Sequence, residues 1–241
     1  MTQTPSCPYS GHTIICGWND RAPQILQELE ASGCKAAVIA RSAPALPENS
    51  SAFVICGDPS KNDVLRKAGV ETADAAIILS ENARTLPPDS VDSRSILTAL
   101  AVESLRPEIY TVLELLNPAN EIHAKRAHVD SIVFCEKIIA DVIALCASQK
   151  GISSFVDDIL SRSDNGTALC TQDVEAEWDG RPIGELFSSI HQSGALPLGV
   201  LRQTNSRDTE EWAHEINPDE NGLIHLPLKV VCISPDEEQN R

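Results

Sequence analysis

Apolar residues in the first 135 positions form six short runs separated by polar segments. The runs are TIIC (13–16), AAVIA (36–40), FVIC (53–56), AAIIL (75–79), YTVLEL (110–115) and SIVF (131–134). Short runs that are apolar at consecutive positions are typical of parallel strands buried on both faces. Because helical patterns lie between them, we predict an α/β fold with a doubly wound parallel sheet.

Two of the segments between the strands have the spacing of amphipathic helices. In residues 22–31 the predicted buried face contains Ile25, Leu26 and Leu29. In residues 92–104 it contains Ile96, Leu97, Leu100 and Ala101. We expect each helix to pack this face against the sheet.

Beyond the sixth strand, two further helices are predicted. Apolar positions 138, 139, 142, 143 and 146 indicate a helix over residues 136–149 that ends at Lys150-Gly151. A second helix is expected to begin at Ser154 as its N-cap. Its apolar face needs a partner in the same chain or in a second subunit, and contains Phe155, Val156, Ile159 and Leu160.

The polar segment SRSDNGT (161–167) is predicted to link this part to a second, smaller domain. There, ALCTQDVEAEW, LPLGVLRQ and LKVVCIS predict mainly antiparallel strands, IGELFSSIHQSG predicts a helix, and SPDEEQNR forms an acidic tail. Glu175, Glu177 and Asp179 alternate in DVEAEWDG (173–180), which begins within the first of these segments. This alternation favours a solvated strand face, with a divalent-cation site as the alternative.

Composition narrows the possible functions. A length of 241 residues with 42% apolar residues suits one large or two small globular domains. The sequence lacks a run of about 18 apolar residues and a signal-peptide pattern, so we expect a soluble, cytosolic chain. A net charge of -16 argues against nucleic-acid binding, which depends on clustered Lys and Arg. Divalent cations or basic partner surfaces fit this charge better.

Eight cysteines are scattered along the chain without a C-x-x-C pair. Several lie inside apolar runs, such as TIIC and FVIC. We therefore predict buried free thiols in a reducing compartment rather than disulfides or a zinc site.

The segment ICGWNDRA joins the first strand to the first helix, where a dinucleotide-binding turn reads G-x-G-x-x-G. Gly17 is kept, but Asn19 and Ala22 stand at the other two glycine positions. Arg41 stands where the ribose-binding acid is expected, after the second strand. These changes disfavour NAD-dependent hydride transfer. They leave two interpretations of the turn: a structural role, or binding of a nucleotide or another small anion.

Polar residues also follow the third and fourth strands, at the edge where open α/β sheets bind ligands. Gly57 and Asp58 follow the third strand, although Asp58 could instead cap the next helix. Ser80, Glu81 and Asn82 begin a longer loop after the fourth strand. We predict a ligand pocket at this edge. Because the sequence contains neither a nucleophile elbow nor a zinc-protease motif nor a Walker A loop, we predict that the chain is not an enzyme.

Several longer segments, in this order, resemble one known family. They are HTIICGWND, GDPSKNDVLRKAGVETADAAIIL, DSRSILTALAVESLRPEIYTVLELLNPAN, HVDSIVF, GALPLGVLR and EINPDENGLIHLPLKVVCIS. Together they are similar to the RCK (TrkA-N/TrkA-C) regulatory domains of potassium channels and transporters. The resemblance implies a Rossmann-like N-lobe over 11–135, crossover and dimerisation helices over 136–162, and a small α+β TrkA-C-like lobe over 167–235.

The resemblance also implies a function: a cytoplasmic, ligand-sensing gating domain. Such domains form homodimers and octameric rings beneath a membrane-embedded pore, at the inner face of the cell membrane. Alternatives are an NAD(P)-dependent oxidoreductase and an assembly module without a ligand.

Family ligands include nucleotides (NAD, ATP, ADP) and calcium. The CGW turn resembles that of calcium-gated members, whose fifth strand carries an E-x-E pair. This chain has Glu114 at the first position and Leu116 at the second, and Leu79-Ser80 where a further acid would lie. The implied site therefore contains Glu114 as a metal ligand and a ligand-binding set of Gly17, Trp18, Asn19, Arg41, Gly57, Asp58, Ser80, Glu81 and Asn82.

Overall fold

A computed structural model describes residues 6–161, 167–206 and 209–235. The chain divides into two compact units, an N-terminal unit over residues 1–148 and a C-terminal unit over residues 149–241. Within the described residues, none of the helices combines the length and apolar character needed to cross a membrane.

The N-terminal unit contains a six-stranded parallel sheet, as predicted. Its strands are β1 (Thr13–Cys16), β2 (Ala36–Ala40), β3 (Phe53–Cys56), β4 (Ala75–Ile78), β5 (Tyr110–Glu114) and β6 (Ser131–Val133). They are arranged in the order β3-β2-β1-β4-β5-β6. Strands β2 and β3 therefore extend the sheet on one side of β1, and β4, β5 and β6 extend it on the other, so the strand order reverses between β1 and β4. The carboxyl ends of these two strands face a common crevice.

Five helices accompany this sheet: α1 (Ala22–Ala31), α2 (Asn62–Lys67), α3 (Pro88–Leu105), α4 (Glu121–Arg126) and α5 (Cys135–Ser148). Neighbouring residues of β1 point to opposite faces, so Ile14 and Ile15 belong to separate core clusters. Ile14 packs in the cluster that includes Leu65 of α2 and Ala99 of α3, whereas Ile15 packs with Leu26 of α1. Both faces of the sheet are covered, which confirms the doubly wound fold.

Helix α3 presents a different face to the sheet from the one we predicted. Leu97 and Leu100 are 58% and 44% exposed. The buried positions are spaced at helical intervals and are occupied by smaller side chains: Val91, Asp92, Ser95, Thr98, Ala99 and Val102. The prediction was wrong for these two leucines because it ranked residues by hydropathy, whereas the face of α3 that packs against the sheet is the one with the smaller side chains.

Apolar side chains are also exposed on α5 and on the next helix, α6 (Ile152–Leu160), which belongs to the C-terminal unit. On α5, Ile138, Ile139 and Ile143 are each at least half exposed. On α6, Phe155 and Leu160 are also more than half exposed. The predicted N-cap at Ser154 is wrong: the helix begins two residues earlier, after Gly151, whose φ of 86° is in the left-handed region.

The C-terminal unit contains a four-stranded antiparallel sheet. Its strands are β7 (Thr167–Asp173), β8 (Leu196–Ser206), β9 (Thr209–Ile216) and β10 (Leu228–Pro235), in the order β7-β10-β8-β9. Helix α7 (Ile183–Gln192) contributes Ile183, Leu186 and Ile190 to the core. Most of the predicted linker, at residues 162–166, and the end of the acidic tail, at residues 236–241, lie outside the described residues.

The alternating acids of the C-terminal unit lie outside the strand that was predicted to contain them. Strand β7 ends at Asp173, and Ala176–Trp178 forms a turn of 3-10 helix. Glu175, Glu177 and Asp179 are exposed on this turn, so they do not share one strand face. The prediction of buried cysteines was also only partly right, because Cys34 and Cys56 are exposed.

Candidate functional site

The turn from β1 to α1 strongly favours glycine at its first position. Gly17 has a φ of 96°, in the left-handed region. A Cβ atom there would lie 2.9 Å from the carbonyl oxygen of Leu79 and 3.0 Å from Cγ of Glu81. The chain therefore keeps this glycine because β4 and its following loop approach the turn closely.

The amide groups of this turn, which would bind phosphate in a dinucleotide site, donate to side chains of the chain itself. The backbone N–H of Trp18 donates to Oε1 of Glu81 at 3.1 Å. Oδ1 of Asn19 accepts from the amides of Arg21 at 3.0 Å and Ala22 at 3.2 Å. Asn19 thus satisfies the amides of Arg21, the N-cap residue of α1, and of Ala22, its first residue, and Glu81 places a carboxylate where an external anion would otherwise bind.

Glu114, at the end of β5, is 3% exposed and is held by donors from two other loops. Its Oε2 accepts from Nδ2 of Asn19 and from the backbone N–H of Ser80, each at 3.0 Å. Its Oε1 forms an ion pair with Arg21. The guanidinium of Arg21 also donates to Oγ of Ser80 at 3.3 Å. The residue predicted as a metal ligand therefore pairs with a cation of its own chain.

A second ion-pair group surrounds Arg41, directly after β2. Its Nη2 donates to Oδ1 of Asp58 at 2.9 Å, and its Nε donates to Oε2 of Glu81 at 3.2 Å. Oδ1 of Asp58 also accepts from the amide and hydroxyl of Ser60. Partial burial alone would raise the pKa of Asp58, but the bonds from Ser60 and Arg41 outweigh burial and hold it below its usual value.

Cys16 ends β1 beneath the same turn. Burial, and then the negative charge of Glu81, raise the pKa of Cys16 to about 12. Because the thiolate is the reactive form, this cysteine is a core side chain without nucleophilic chemistry at neutral pH.

The cavity at this edge is small. Its volume is about 20 Å³, room for about one water molecule, and its lining includes Gly17, Arg41, Glu81 and Arg94. Sites for small ligands usually have about 300–1,000 Å³. Arg41 and Glu81, which form an ion pair, both line this cavity, so separation of that pair would enlarge it.

The structure brings most of the predicted residues into one network: Gly17, Trp18, Asn19, Arg41, Asp58, Ser80, Glu81 and Glu114. Two predicted residues stand apart from it. Asn82 is exposed in the loop after β4 with a φ of 60°. Gly57 is needed for close packing, because a Cβ there would lie 3.0 Å from Val64 of α2.

The sequence analysis missed Arg21. A cation beside the N-terminus of a helix is electrostatically unfavourable, so its presence in NDRAP is a signal that an acid lies nearby. Within the described residues, no group of three or more His, Cys, Asp or Glu side chains has the arrangement of a metal site.

The C-terminal unit has a larger, more open cavity of about 900 Å³. Its lining includes Trp178, Arg181, Glu185, His191 and Glu220. The guanidinium of Arg181 lies 4.1 Å from the centre of the Trp178 ring and donates twice to Oε2 of Glu185. The sequence analysis assigned much of this lining to a predicted helix and predicted strands, but it predicted no ligand site there.

Known proteins resemble the chain in sequence and in fold. TvoK of Thermoplasma volcanium, described as a calcium-gated potassium channel, is 22% identical over 156 residues, which cover 64% of this chain and 45% of TvoK. A Trk system potassium uptake protein TrkA homolog of Pyrococcus abyssi is 26% identical over 184 residues, covering 73% of this chain and 75% of that protein. The chain thus spans less than half the length of TvoK.

The human SLO3 gating ring shares the fold with a TM-score of 0.66, at 14% identity, over 95% of this chain and 45% of that chain. In sequence, residues 13–135, from the start of β1 to the start of α5, match the TrkA-N domain. This match spans half of the chain and all six parallel strands, and it confirms the resemblance found in the motifs. The chain belongs to the TrkA-N domain family.

Proposed function

We propose that the chain is a cytoplasmic, ligand-sensing regulatory domain that controls potassium transport and has no catalytic activity of its own. The observation that carries the proposal is the TrkA-N match across a sheet whose carboxyl edge is joined by ion pairs between loops. The names of TvoK and the TrkA homolog support potassium as the transported ion. We further propose that the chain acts at the inner face of the membrane, through a pore that it regulates.

The two ion-pair groups give this edge a closed state. Arg21 and Asn19 join the β1–α1 turn to Glu114 of β5, and Arg41 joins β2 to the loops after β3 and β4. A ligand that binds better when these pairs are separated shifts the population towards an open state. The free energy available to move a gate equals this difference in affinity between the two states.

Two ligand classes fit the charges at the edge. An anionic nucleotide would replace the acids as the partner of Arg41 and Arg21. The residues near its phosphates and sugar would be Gly17, Trp18, Asn19, Gly57 and Asn82. A divalent cation such as calcium would instead take the carboxylates of Asp58, Glu81 and Glu114 from the arginines, and these acids would have to move together, because they are not grouped as a metal site in the closed state. Both ligand classes compete for the same ion pairs. They are distinguished by whether binding requires the arginine or the acid of each pair.

Thermal unfolding of the chain with ATP, ADP, AMP, NAD(H), Ca²⁺, Mg²⁺ or Na⁺ tests ligand sensing. A ligand selective for the folded chain raises the midpoint by mass action. We expect Arg41→Ala to abolish a shift caused by a nucleotide, and Glu114→Gln to abolish a shift caused by a divalent cation. Arg181→Ala and Glu185→Gln, in the cavity of the C-terminal unit, are the matched controls and should leave either shift unchanged. If no compound shifts the midpoint, the sensing role is wrong and an assembly module without a ligand is favoured.

We also propose that a second copy of the chain covers the apolar side chains of α5 and α6. Ile138, Ile139, Ile143, Phe155 and Leu160 are exposed on these helices, and solvent contact of such side chains is costly. Light scattering should show a dimer or larger assembly, and Ile143→Glu should weaken it. Ala144→Glu places the same charge outside the apolar face, about 100° around α5 from Ile143, and should not. A monomer at high concentration would contradict this interface.

A ring needs a further surface, and α3 and α4 offer one. Leu97 and Leu100 of α3 and Ile122 of α4 are exposed, and the two helices contact each other. We expect Leu100→Glu to reduce a larger assembly to a dimer. If Leu100→Glu has no effect on the mass, the ring does not use this surface.

A further inference from the structure

Two cysteines face each other across the antiparallel sheet of the C-terminal unit. Cys170 of β7 and Cys232 of β10 are register partners, and their sulfur atoms are 3.4 Å apart. Directly opposed residues of antiparallel strands have Cα atoms about 4.5–5.5 Å apart, within the range of about 4.4–6.8 Å found in disulfides. Rotation of the two side chains is therefore sufficient to bring the sulfur atoms into bonding distance, with the strands in place.

The two thiols differ in their access to solvent. Cys232 is fully buried in the core of the unit, whereas Cys170 is only partly buried. Strand β7 lies at the edge of the sheet, and Cys170 lines a cavity of about 410 Å³ together with Leu169, Thr171 and Val231. Cys170 is therefore the more accessible of the two thiols.

We propose that Cys170 and Cys232 form a dithiol site that a small-molecule disulfide, such as glutathione disulfide, oxidises reversibly to an intramolecular disulfide. Nothing in this proposal rests on the ligand-sensing role of the parallel sheet. It concerns the C-terminal unit alone.

The environment of each sulfur atom determines the order of the steps. Burial, and then the hydrogen bond and negative charge of Cys170, raise the pKa of Cys232 to about 12, so Cys232 is protonated at neutral pH. Oγ of Ser234 lies 3.3 Å from the sulfur of Cys170 and can donate a hydrogen bond to its thiolate. Cys170 is therefore the attacking cysteine, and Cys232 is the resolving cysteine.

The small disulfide is the oxidant in this reaction and accepts the two electrons that the dithiol loses. The thiolate of Cys170 attacks one sulfur of glutathione disulfide, the S–S bond of the reagent breaks, and one glutathione thiolate leaves with the proton that Cys170 lost. Burial, the largest cause of the raised pKa of Cys232, remains in the mixed disulfide, but the hydrogen bond and negative charge of the Cys170 thiolate are gone, so the pKa of Cys232 falls. Cys232 then loses its proton, its thiolate attacks the sulfur of Cys170, and the second glutathione leaves with that proton. Two electrons pass from the protein dithiol, which is oxidised, to the reagent, which is reduced to two thiols.

The new bond would join β7, the first strand after α6, to β10, and it would close a loop across 62 positions of sequence. Such a crosslink reduces the freedom of the unfolded chain. We therefore expect oxidation to raise the midpoint of thermal unfolding of the C-terminal unit, and a thiol reductant to reverse the rise.

The test uses the full chain, incubated with mixtures of reduced and oxidised glutathione, alkylated with N-ethylmaleimide and digested with trypsin. Trypsin can cleave between the two cysteines at Arg202 and Lys229, so a disulfide leaves two linked peptides for mass spectrometry. We expect this linked pair in the oxidised sample and its loss after reduction. The double variant Cys34→Ser/Cys56→Ser, which removes the two exposed thiols, should form it equally well.

Two results of the mass spectrometry would overturn the proposal, as would one result of the unfolding measurement. One is glutathione retained on Cys170 as a stable mixed disulfide, because Cys232 would then not act as the resolving cysteine. The other is oxidation of Cys34 or Cys56 under conditions in which Cys170 and Cys232 both remain unoxidised. The variant Cys170→Ser must also lose the oxidant-dependent rise in unfolding midpoint. A rise that persists in it would place the effect elsewhere.

Discussion

The carboxyl edge of the parallel sheet and the cavity of the C-terminal unit differ in charge and in space. At the edge, two arginines and three acids are close together, but they pair with one another and leave a cavity of about 20 Å³. The C-terminal cavity is about 900 Å³, but its Arg181 and Glu185 form a single exposed pair. Volume alone would favour the second region as a ligand site. The first has the charges that a ligand could compete for, and one of its ion pairs, Arg41 with Glu81, lines the small cavity.

Glu114→Ala should have the largest effect on stability. It leaves Arg21, Nδ2 of Asn19 and the amide of Ser80 without their acceptor at a buried position. Breaking a buried pair in this way costs about 3 to 4 kcal/mol, towards the lower end because Arg21 is partly exposed. Denaturant unfolding followed by Trp18 fluorescence, with Trp178 and Trp212 replaced by Phe, measures it.

The control is Glu185→Ala in the C-terminal unit, which removes an exposed pair and should cost less than about 1 kcal/mol in unfolding followed by circular dichroism. Equal losses from the two substitutions would show that the edge pairs are no tighter than surface pairs, and the comparison between the regions would fail.

Gly17→Ala comes second. The added Cβ is strained by the positive φ and also meets the carbonyl of Leu79 at 2.9 Å, so we expect a loss of about 2 to 3 kcal/mol by the same fluorescence measurement. Gly180→Ala is matched in φ, at 75°, but nothing lies within 4 Å of its Cβ position. It should cost only about 1 kcal/mol. If the two glycines behave alike, close approach of β4 does not constrain the turn.

The pH dependence of the N-terminal unit should reflect Glu103 of α3. Burial raises its pKa to about 7, the bond from Thr111 lowers it in part, and the charge of Asp130 adds to the rise. The hydroxyl of Thr111 lies 2.8 Å from Oε1 of Glu103 and 3.1 Å from Oδ2 of Asp130, and it has one hydrogen to donate. A protonated Glu103 relieves this competition.

Because the folded pKa lies above the ordinary value of 4.5, the stability from protonated Glu103 is complete below about pH 4.5 and is lost as the pH rises through about 7. At about 1.4 kcal/mol per pKa unit the upper limit is about 3 kcal/mol, and solvent screening reduces the expected value to about 1 kcal/mol. Unfolding free energies between pH 4 and 8 should flatten in Glu103→Gln. Glu108→Gln, at an exposed position, should keep the slope. An unchanged slope in Glu103→Gln would assign the pH dependence to other groups.

Arg181→Ala should have the smallest effect. It removes a guanidinium that lies over Trp178 and pairs with Glu185 at an exposed site, which together contribute less than about 1 kcal/mol. Fluorescence of Trp178, in a chain with Trp18 and Trp212 replaced by Phe, should change while the unfolding midpoint changes little. A large loss of stability would mean that the wall of this cavity is as tightly held as the edge.

Much of the fold follows from local pattern, and the errors occur where contact with another element decides the outcome. All six parallel strands lie within the apolar runs, because continuous apolar sequence is compatible with burial on both faces. The buried face of α3 was misjudged at Leu97 and Leu100. Hydropathy ranks side chains, but the space between helix and sheet selects them by size, and that space is a property of the packed structure.

The candidate site divides in the same way. The sequence determined which polar residues follow each strand, and therefore which side chains reach the common edge of the sheet. Only the tertiary structure decided that they pair with one another: Arg21 with Glu114 across 93 positions, Arg41 with Asp58 across 17 and with Glu81 across 40. Residue spacing along the chain reports local geometry. Ion pairs and facing thiols instead depend on which strands become neighbours in a sheet. The strand order is decided by burial of the whole core.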